Sequence, residues 1–316
     1  MTDLPSYDEL PEAPEGGRSG WGVFGEGDNV GLLNLLTPER VVAATQLVRK
    51  GALFPLDAPV DAFDPPVAAG GRGIPRHHLL HAPGGIVFDD VYDNFFPQGS
   101  SQWDSLGHVG YSANSFYNGA TEEDIAEGRR NTIEHWARRG IAGRAVLLDM
   151  VRTFAASGRE YDPGTSTAFS VEDLEDARRR SGVEFRPGDI LVIHTGFAAW
   201  YLGLSQGRRA RAGRNLATPG IANGEDMCRY LWDSHVVAVA SDTFGVEVFP
   251  ADLTSPTGFI HRVLIGQFGM ALGELWWTED LAADCADDGV YEMFLASTPI
   301  HGPGAIGSPA NALAIK

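Results

Sequence analysis

The sequence predicts an α/β fold: one domain built on a largely covered sheet and preceded by a short arm. Apolar runs at residues 145–151, 189–195 and 236–241 have strand composition without strict polar–apolar alternation, which marks strands buried on both faces. Segments with helix-start signals lie between these runs, the element order of an α/β fold. No linker-like tract, repeat or low-complexity stretch divides the 316 residues. The domain therefore covers 21–316, and residues 1–20, acidic and rich in Pro and Gly, form an extended arm.

Thr37 and Pro38 open the first helix. A Thr side chain can cap free backbone N–H groups, and Pro tolerates the first helical position because its missing donor is not needed there. Val41, Ala44, Leu47 and Val48 keep one apolar face and Gly51 stops it. Residues 61–75 are loop-like. A second helix spans 121–139, with acidic residues in its first turn and Arg138 and Arg139 in its last, as the helix dipole favours. A third begins at Ser170 and runs to about Arg180; the turn at Pro187 and Gly188 delivers the strand at 189–195. Residues 197–202 read as helical and 208–214 as a basic loop, a solvated charge run rather than an anion site. Two more strands are expected at 291–297 and 310–315.

Composition narrows the function. A 43% apolar content is enough for a sizeable core, while a formal charge of −18 disfavours nucleic acid and anionic membranes, both of which call for clustered Lys and Arg. Cys228 and Cys285 are the only cysteines and sit in no CxxC spacing, so neither a disulfide framework nor a thiolate zinc site is expected. No basic, apolar leader opens the chain and no run approaches membrane-span length, so a soluble cytoplasmic protein is expected.

Some motifs lack the context their chemistry needs. Gly302, Gly304 and Gly307 match GxGxxG, but a dinucleotide loop must open a helix, and here a strand follows. Gly203, Ser205 and Gly207 match GxSxG, but the preceding segment is helical where a nucleophile elbow needs a strand. His77 and His78 are adjacent and so would face opposite sides of a strand; with His81 they make a poor joint metal site. His135 lies beside Trp136 in an amphipathic helix and reads as structural.

Residues 98–108, Gln-Gly-Ser-Ser-Gln-Trp-Asp-Ser-Leu-Gly-His, are different. Asp104 and His108 place a carboxylate ligand and a proton carrier four residues apart in apolar, Gly-flanked surroundings. A satisfied Asp–His hydrogen bond is the competing reading. A second polar set runs from Ser241 and Asp242 to Glu247 after a buried strand, where active-site groups of open α/β sheets cluster. His261 then opens an apolar stretch that leads to Glu274, although taken alone a core or capping histidine is the commoner case.

Taken in order, these segments resemble the cyclase family that includes bacterial kynurenine formamidase, isatin hydrolase and trans-dienelactone hydrolase. The resemblance runs over nearly the whole length: 21–25, 28–38, 98–108, 188–196, 242–247, 261–265, 269–274 and 307–311. The family motif His-x-Gly-Thr-His-x-Asp-x-Pro-x-His falls on Gln98, Ser100, Ser101, Gln102, Asp104, Leu106 and His108, and its downstream His and Glu fall on His261 and Glu274. The resemblance implies a single domain with a mixed, barrel-like sheet flanked by helices, of the swivelling β/β/α type. It also implies a metal site of Gln98, Gln102, Asp104, His261 and Glu274, with His108 and Glu274 in catalytic roles. Gln98 and Gln102 replace two histidines, so the donor set is oxygen-rich, which favours Mn²⁺ or Mg²⁺ over Zn²⁺ and argues against a binuclear zinc site.

The function expected is a metal-dependent hydrolase of a small-molecule amide, lactam or lactone, acting through activated water with His108 as general base. Trp103, Phe95, Phe96 and Phe116 are candidates to wall an apolar pocket. A homo-oligomer, dimer or tetramer, is expected from the resemblance and the arm. The glutamines keep a second class open: a metal-free binding protein, or a natural-product cyclase or lyase that uses acid–base residues alone.

Overall fold

The computed structural model describes residues 4–13, 16–68 and 71–316. A nine-stranded mixed sheet, curled into a half-barrel and flanked by helices, organises the chain, in agreement with the expected class. Its strands are β1 (Leu53–Pro55), β4 (Gln102–Asp104), β5 (Ile141–Asp149), β7 (Ile190–His194), β9 (Ala238–Ser241), β10 (Ala271–Glu274), β11 (Glu292–Ser297), β12 (Gly307–Pro309) and β13 (Ala312–Ile315). Two short ribbons stand apart: β2 (Arg76–His81) with β3 (Phe88–Asp93), and β6 (Ala168–Phe169) with β8 (Gly220–Ile221). The sheet order is β1-β13-β11-β5-β7-β9-β10-β4-β12.

The helices are α1 (Pro38–Thr45), α2 (Glu122–Ala126), α3 (Ile133–Arg139), α4 (Met150–Ala156), α5 (Val171–Ser181), α6 (Phe197–Gly203), α7 (Gln206–Asn215), α8 (Glu225–Asp233), α9 (His261–Gly266) and α10 (Glu279–Asp288). Strands β5, β7, β9 and β10 run parallel at the centre; β4 and β12 extend the sheet antiparallel on one side, and β11, β13 and β1 on the other. The parallel centre is buried on both faces, which explains its unbroken apolar composition. Thr37 caps α1 as expected, and Ser170 with Asp173 closes a capping box on α5.

Several expected elements differ. The helix expected over 121–139 is two helices, because Gly128 and Asn131 adopt positive φ and break the run. Residues 206–215, within which 208–214 read as a basic loop, form α7; Arg is a good helix former, and Arg208, Arg211 and Arg214 face outward while Arg209 donates to the Leu202 and Leu204 carbonyls. The 145–151 run is strand only to Asp149, whose carboxylate accepts from Arg152 N at 2.8 Å and starts α4. The arm, of which residues 1–3 and 14–15 lie outside the described residues, packs on its own chain: Tyr7 is buried edge-on to Phe268 and Trp232 Nε1 donates to Pro5 O. Among the described residues no helix is long and apolar enough to cross a membrane.

One buried ion pair fastens the antiparallel wing to the parallel centre. Arg144 on β5 donates to Asp189 at 2.5 Å and to Glu292 on β11 at 2.7 Å, and both Arg144 and Asp189 are almost fully buried. Removing the guanidinium leaves Asp189 buried beside apolar strands, so Arg144→Met should cost about 3–5 kcal/mol in urea denaturation. The double variant Arg144→Met/Asp189→Leu should recover much of that loss. A single variant with an unshifted midpoint would show that the pair does not hold the wings together.

Candidate metal centre

The alternation of β4 sorts its three residues. Gln102 and Asp104 face one side of the sheet and Trp103 the other. Trp103 packs edge-on against Trp276 (4.8 Å between ring centres) and Trp136 (6.4 Å), and its Nε1 donates to Ser297 Oγ. It is therefore core, fully buried, and not the pocket wall expected from sequence; Phe95 is exposed, and Phe96 and Phe116 are half-buried.

On the other side of β4, register brings the polar groups together. Glu274 on β10 is the cross-strand partner of Gln102, and Gln102 Nε2 donates to Glu274 Oε2 at 2.8 Å. His261, at the start of α9, sends Nε2 to 3.4 Å from Glu274 Oε1 and 3.7 Å from Asp104 Oδ2. One ligand atom each from Asp104, His261 and Glu274 falls within 4.8 Å of the others, and all three residues are buried. His108 stands at the opening, a quarter exposed, with Nε2 at 3.5 Å from Asp104 Oδ1.

Gln98 is brought close by a glycine. Gly307 on β12 is the cross-strand partner of Asp104, and a Cβ there would lie 2.2 Å from the Gln98 side-chain nitrogen. The missing side chain is thus the space that admits the Gln98 amide beside Asp104. Ser101 ties this corner down: its hydroxyl donates to Leu275 O at 2.5 Å and accepts from Ala58 N at 2.8 Å.

The electrostatics are unbalanced. Asp104, Glu247 and Glu274 are buried around one imidazole. Glu247 accepts from His261 Nδ1 at 2.9 Å, which turns Nε2 towards the cluster, the carboxylate–histidine arrangement of metal sites. Burial, then the Asp104 and Glu247 charges, push the Glu274 carboxyl up to about 7, against the pull of His261 and Arg72. Burial favours the neutral His261 ring, yet Glu247, Asp104 and Glu274 together raise it well above the usual histidine range. Burial would also lift Asp104, but His108, His261 and Arg72 hold its carboxyl below its ordinary value. Burial lowers His108, outweighing the attraction of Asp104.

Neither carboxylate oxygen of Asp104 has a hydrogen-bond partner, and neither does Gln102 Oε1. Buried acceptors of this kind are normally satisfied. Three orphaned oxygens beside a buried surplus of carboxylates and one oriented imidazole are the donor set a hard divalent cation fits.

Sequence reasoning placed Glu247 in the late polar set without a role, because its bond to His261 depends on tertiary approach. Gly220 permits that approach: a Cβ there would lie 2.3 Å from the Glu247 backbone. Arg72 escaped notice entirely, in a stretch that reads as loop. A second group, His194, Asp242 and Glu279, also lies within 4.8 Å. There Asp242 accepts from Thr195 N and Ala198 N at the start of α6, and His194 Nδ1 is paired with Thr278 Oγ1, so these groups already serve the strand ends. The remaining motifs set aside from sequence stay apart: Gly302–Gly307 leads into β12, and His77, His78 and His81 lie on the exposed β2.

The family profile described as "Putative cyclase" matches residues 55–248. A crystal structure of a novel cyclase is 35% identical over 94% of this chain and 99% of its own, with a TM-score of 0.83. Isatin hydrolase A from Labrenzia aggregata, bound to benzyl benzoate, is similar in fold at 15% identity, covering 87% of this chain and 97% of its own, with a TM-score of 0.60. A potential metal-dependent hydrolase with cyclase activity is 16% identical over 83% of this chain and 98% of its own, with a TM-score of 0.50. Comparison with curated proteins returned no match. Built on this fold and matched over this length, the chain belongs to the cyclase family.

Proposed function

We propose that the protein is a metal-dependent hydrolase of a small-molecule amide, lactam or lactone. The observation that carries the reading is the pair of orphaned Asp104 oxygens, buried beside His261 and Glu274. Asp104, His261 and Glu274 would hold a divalent cation, and the amide oxygens of Gln102 and Gln98 would complete an oxygen-rich set. Such a set favours Mn²⁺ over Zn²⁺. When bound, the cation supplies Lewis-acid polarisation of a carbonyl and acidifies water.

The chain's own residues do the rest. Glu247 fixes the His261 ring, and the Gln102 amide fixes one oxygen of Glu274. His108, kept neutral by burial and open to the solvent side, takes a proton from water at Nε2 and returns it to the leaving nitrogen or oxygen. Glu274 serves both as ligand and as a second carboxyl beside the reacting group. Burial of the free thiols Cys228 and Cys285 supports a reducing, cytoplasmic setting.

Assembly belongs to the same proposal. Every residue of β2 and β3 is exposed, including Leu79 (56%), Phe88 (56%) and Tyr92 (50%), with Ile86 at 89% in the turn between them. A lone two-stranded hairpin is marginal in water. By register Leu79, Phe88 and Tyr92 share one face of the ribbon, an exposed apolar patch of the kind that marks an interaction surface. Within the hairpin His77 is paired with Asp90 and His78 with Asp93, which leaves the apolar side chains as the surface to be covered. The occupant is a second copy of this chain.

Metal analysis of protein purified without chelator should find about one Mn or comparable ion per chain, and Asp104→Ala should lose it. Metal-free protein, even after reconstitution, would favour the binding-protein or acid–base cyclase class instead. His108→Ala should keep the metal and lose roughly 10²–10⁴-fold in turnover; full turnover would remove His108 from the chemistry. Light scattering should give a dimer or tetramer for the wild type and a monomer for Leu79→Glu/Phe88→Glu; unchanged mass would clear the hairpin of that role.

A further inference from the structure

Arg72 lines a cavity and hydrogen-bonds the backbone of Gln98. It is half-buried, its Nη1 donates to Gln98 O at 2.9 Å, and its guanidinium lies 6.0 Å from the centre of the Phe244 ring. Its charge reaches Asp104, His108 and Glu274. The cavity, about 590 Å³, is lined by Arg72 with Phe244, Pro65, Pro66 and Leu216, and by the exposed Arg214. That volume suits a small organic ligand, and ligand sites are typically apolar with a few placed polar groups.

Among the described residues Arg72 has no carboxylate partner, a feature it shares with Arg40, Arg139, Arg209 and Arg262, which also give their guanidinium to backbone carbonyls. The Gln98 carbonyl uses one nitrogen of Arg72, and the remaining donors lie at the rim of an apolar cavity.

We propose that this cavity binds a carboxylate, and that the substrate is an amide, lactam or lactone bearing a carboxylate on an apolar body. The assignment of the reacting carbonyl rests on the hydrolase reading above; the carboxylate site does not. Arg72 receives the carboxylate as a planar bidentate pair, which a lysine cannot reproduce. The apolar body lies against Pro65, Pro66, Leu216 and Phe244. A planar, two-oxygen acid matches the geometry of the Arg72 fork, and Arg214 on the same lining makes phosphate the competing anion that the titration separates.

Isothermal titration of the full-length protein in chelator tests the site without reference to any metal. The probes are phenylacetate, phenylacetamide and inorganic phosphate. Phenylacetate should bind the wild type at least 10-fold more tightly than phenylacetamide or phosphate. Arg72→Gln should weaken it at least 10-fold, and Arg72→Lys, which keeps the charge without the fork, at least 3-fold. Equal binding of acid and amide, tighter binding of phosphate, no measurable binding of phenylacetate, or undiminished binding in Arg72→Lys would each overturn the proposal. Metal content read in parallel should be unchanged in Arg72→Lys, so failure here and failure of the metal reading are separate results.

Discussion

The arrangement depends on a three-residue strand held on both sides. Because β4 is hydrogen-bonded to β10 and β12 at once, its side chains have no freedom to choose a face. Trp103 goes to the aromatic core between Trp136 and Trp276, and Gln102 and Asp104 are forced to the other side without water. A slip of one residue would exchange them, placing a carboxylate among tryptophans. The stability of the Trp103 packing therefore carries the cost of burying Asp104. Glu274 is the register partner of Gln102 and Gly307 that of Asp104, so one strand determines the ligand, its neighbour and the gap that admits Gln98.

Electrostatics follow from that placement. Three carboxylates share one enclosed region with one imidazole, and each adjusts to the others: Glu274 moves up to about 7, while His261 is raised by the acids around it. Nothing in the enclosed region supplies the missing positive charge from a Lys or a paired Arg. Arg72 acts from the rim, with its own partner still lacking. The two imbalances lie side by side and have opposite sign, one inside the cluster and one on the cavity wall.

Much of this was legible in the residues. The buried parallel strands announced themselves by unbroken apolar runs, and helix starts at Thr37 and Ser170 by their capping chemistry. Asp104, His261 and Glu274 stood out through the resemblance of ordered segments, not through any single motif. What escaped was short or non-local. Strands β4 and β10, three and four residues long, have no readable period. Asn131 at positive φ cuts a helix whose composition is continuous, and the face of Trp103 is decided by neighbours far along the chain, which its own segment does not reveal. Glu247 and Arg72 gain their meaning only from what the fold sets beside them.

Gly307 also has a consequence for assembly of the chain itself. The strand it begins is the outer neighbour of β4, and it comes from near the end of the sequence. Until residues 307–309 dock, β4 is an edge strand, Asp104 is open to water on that side, and Gln98 has no glycine to lie against. The enclosed charge cluster therefore draws on residues from 98 to 307, and its shielding from water on that side depends on β12 being in place.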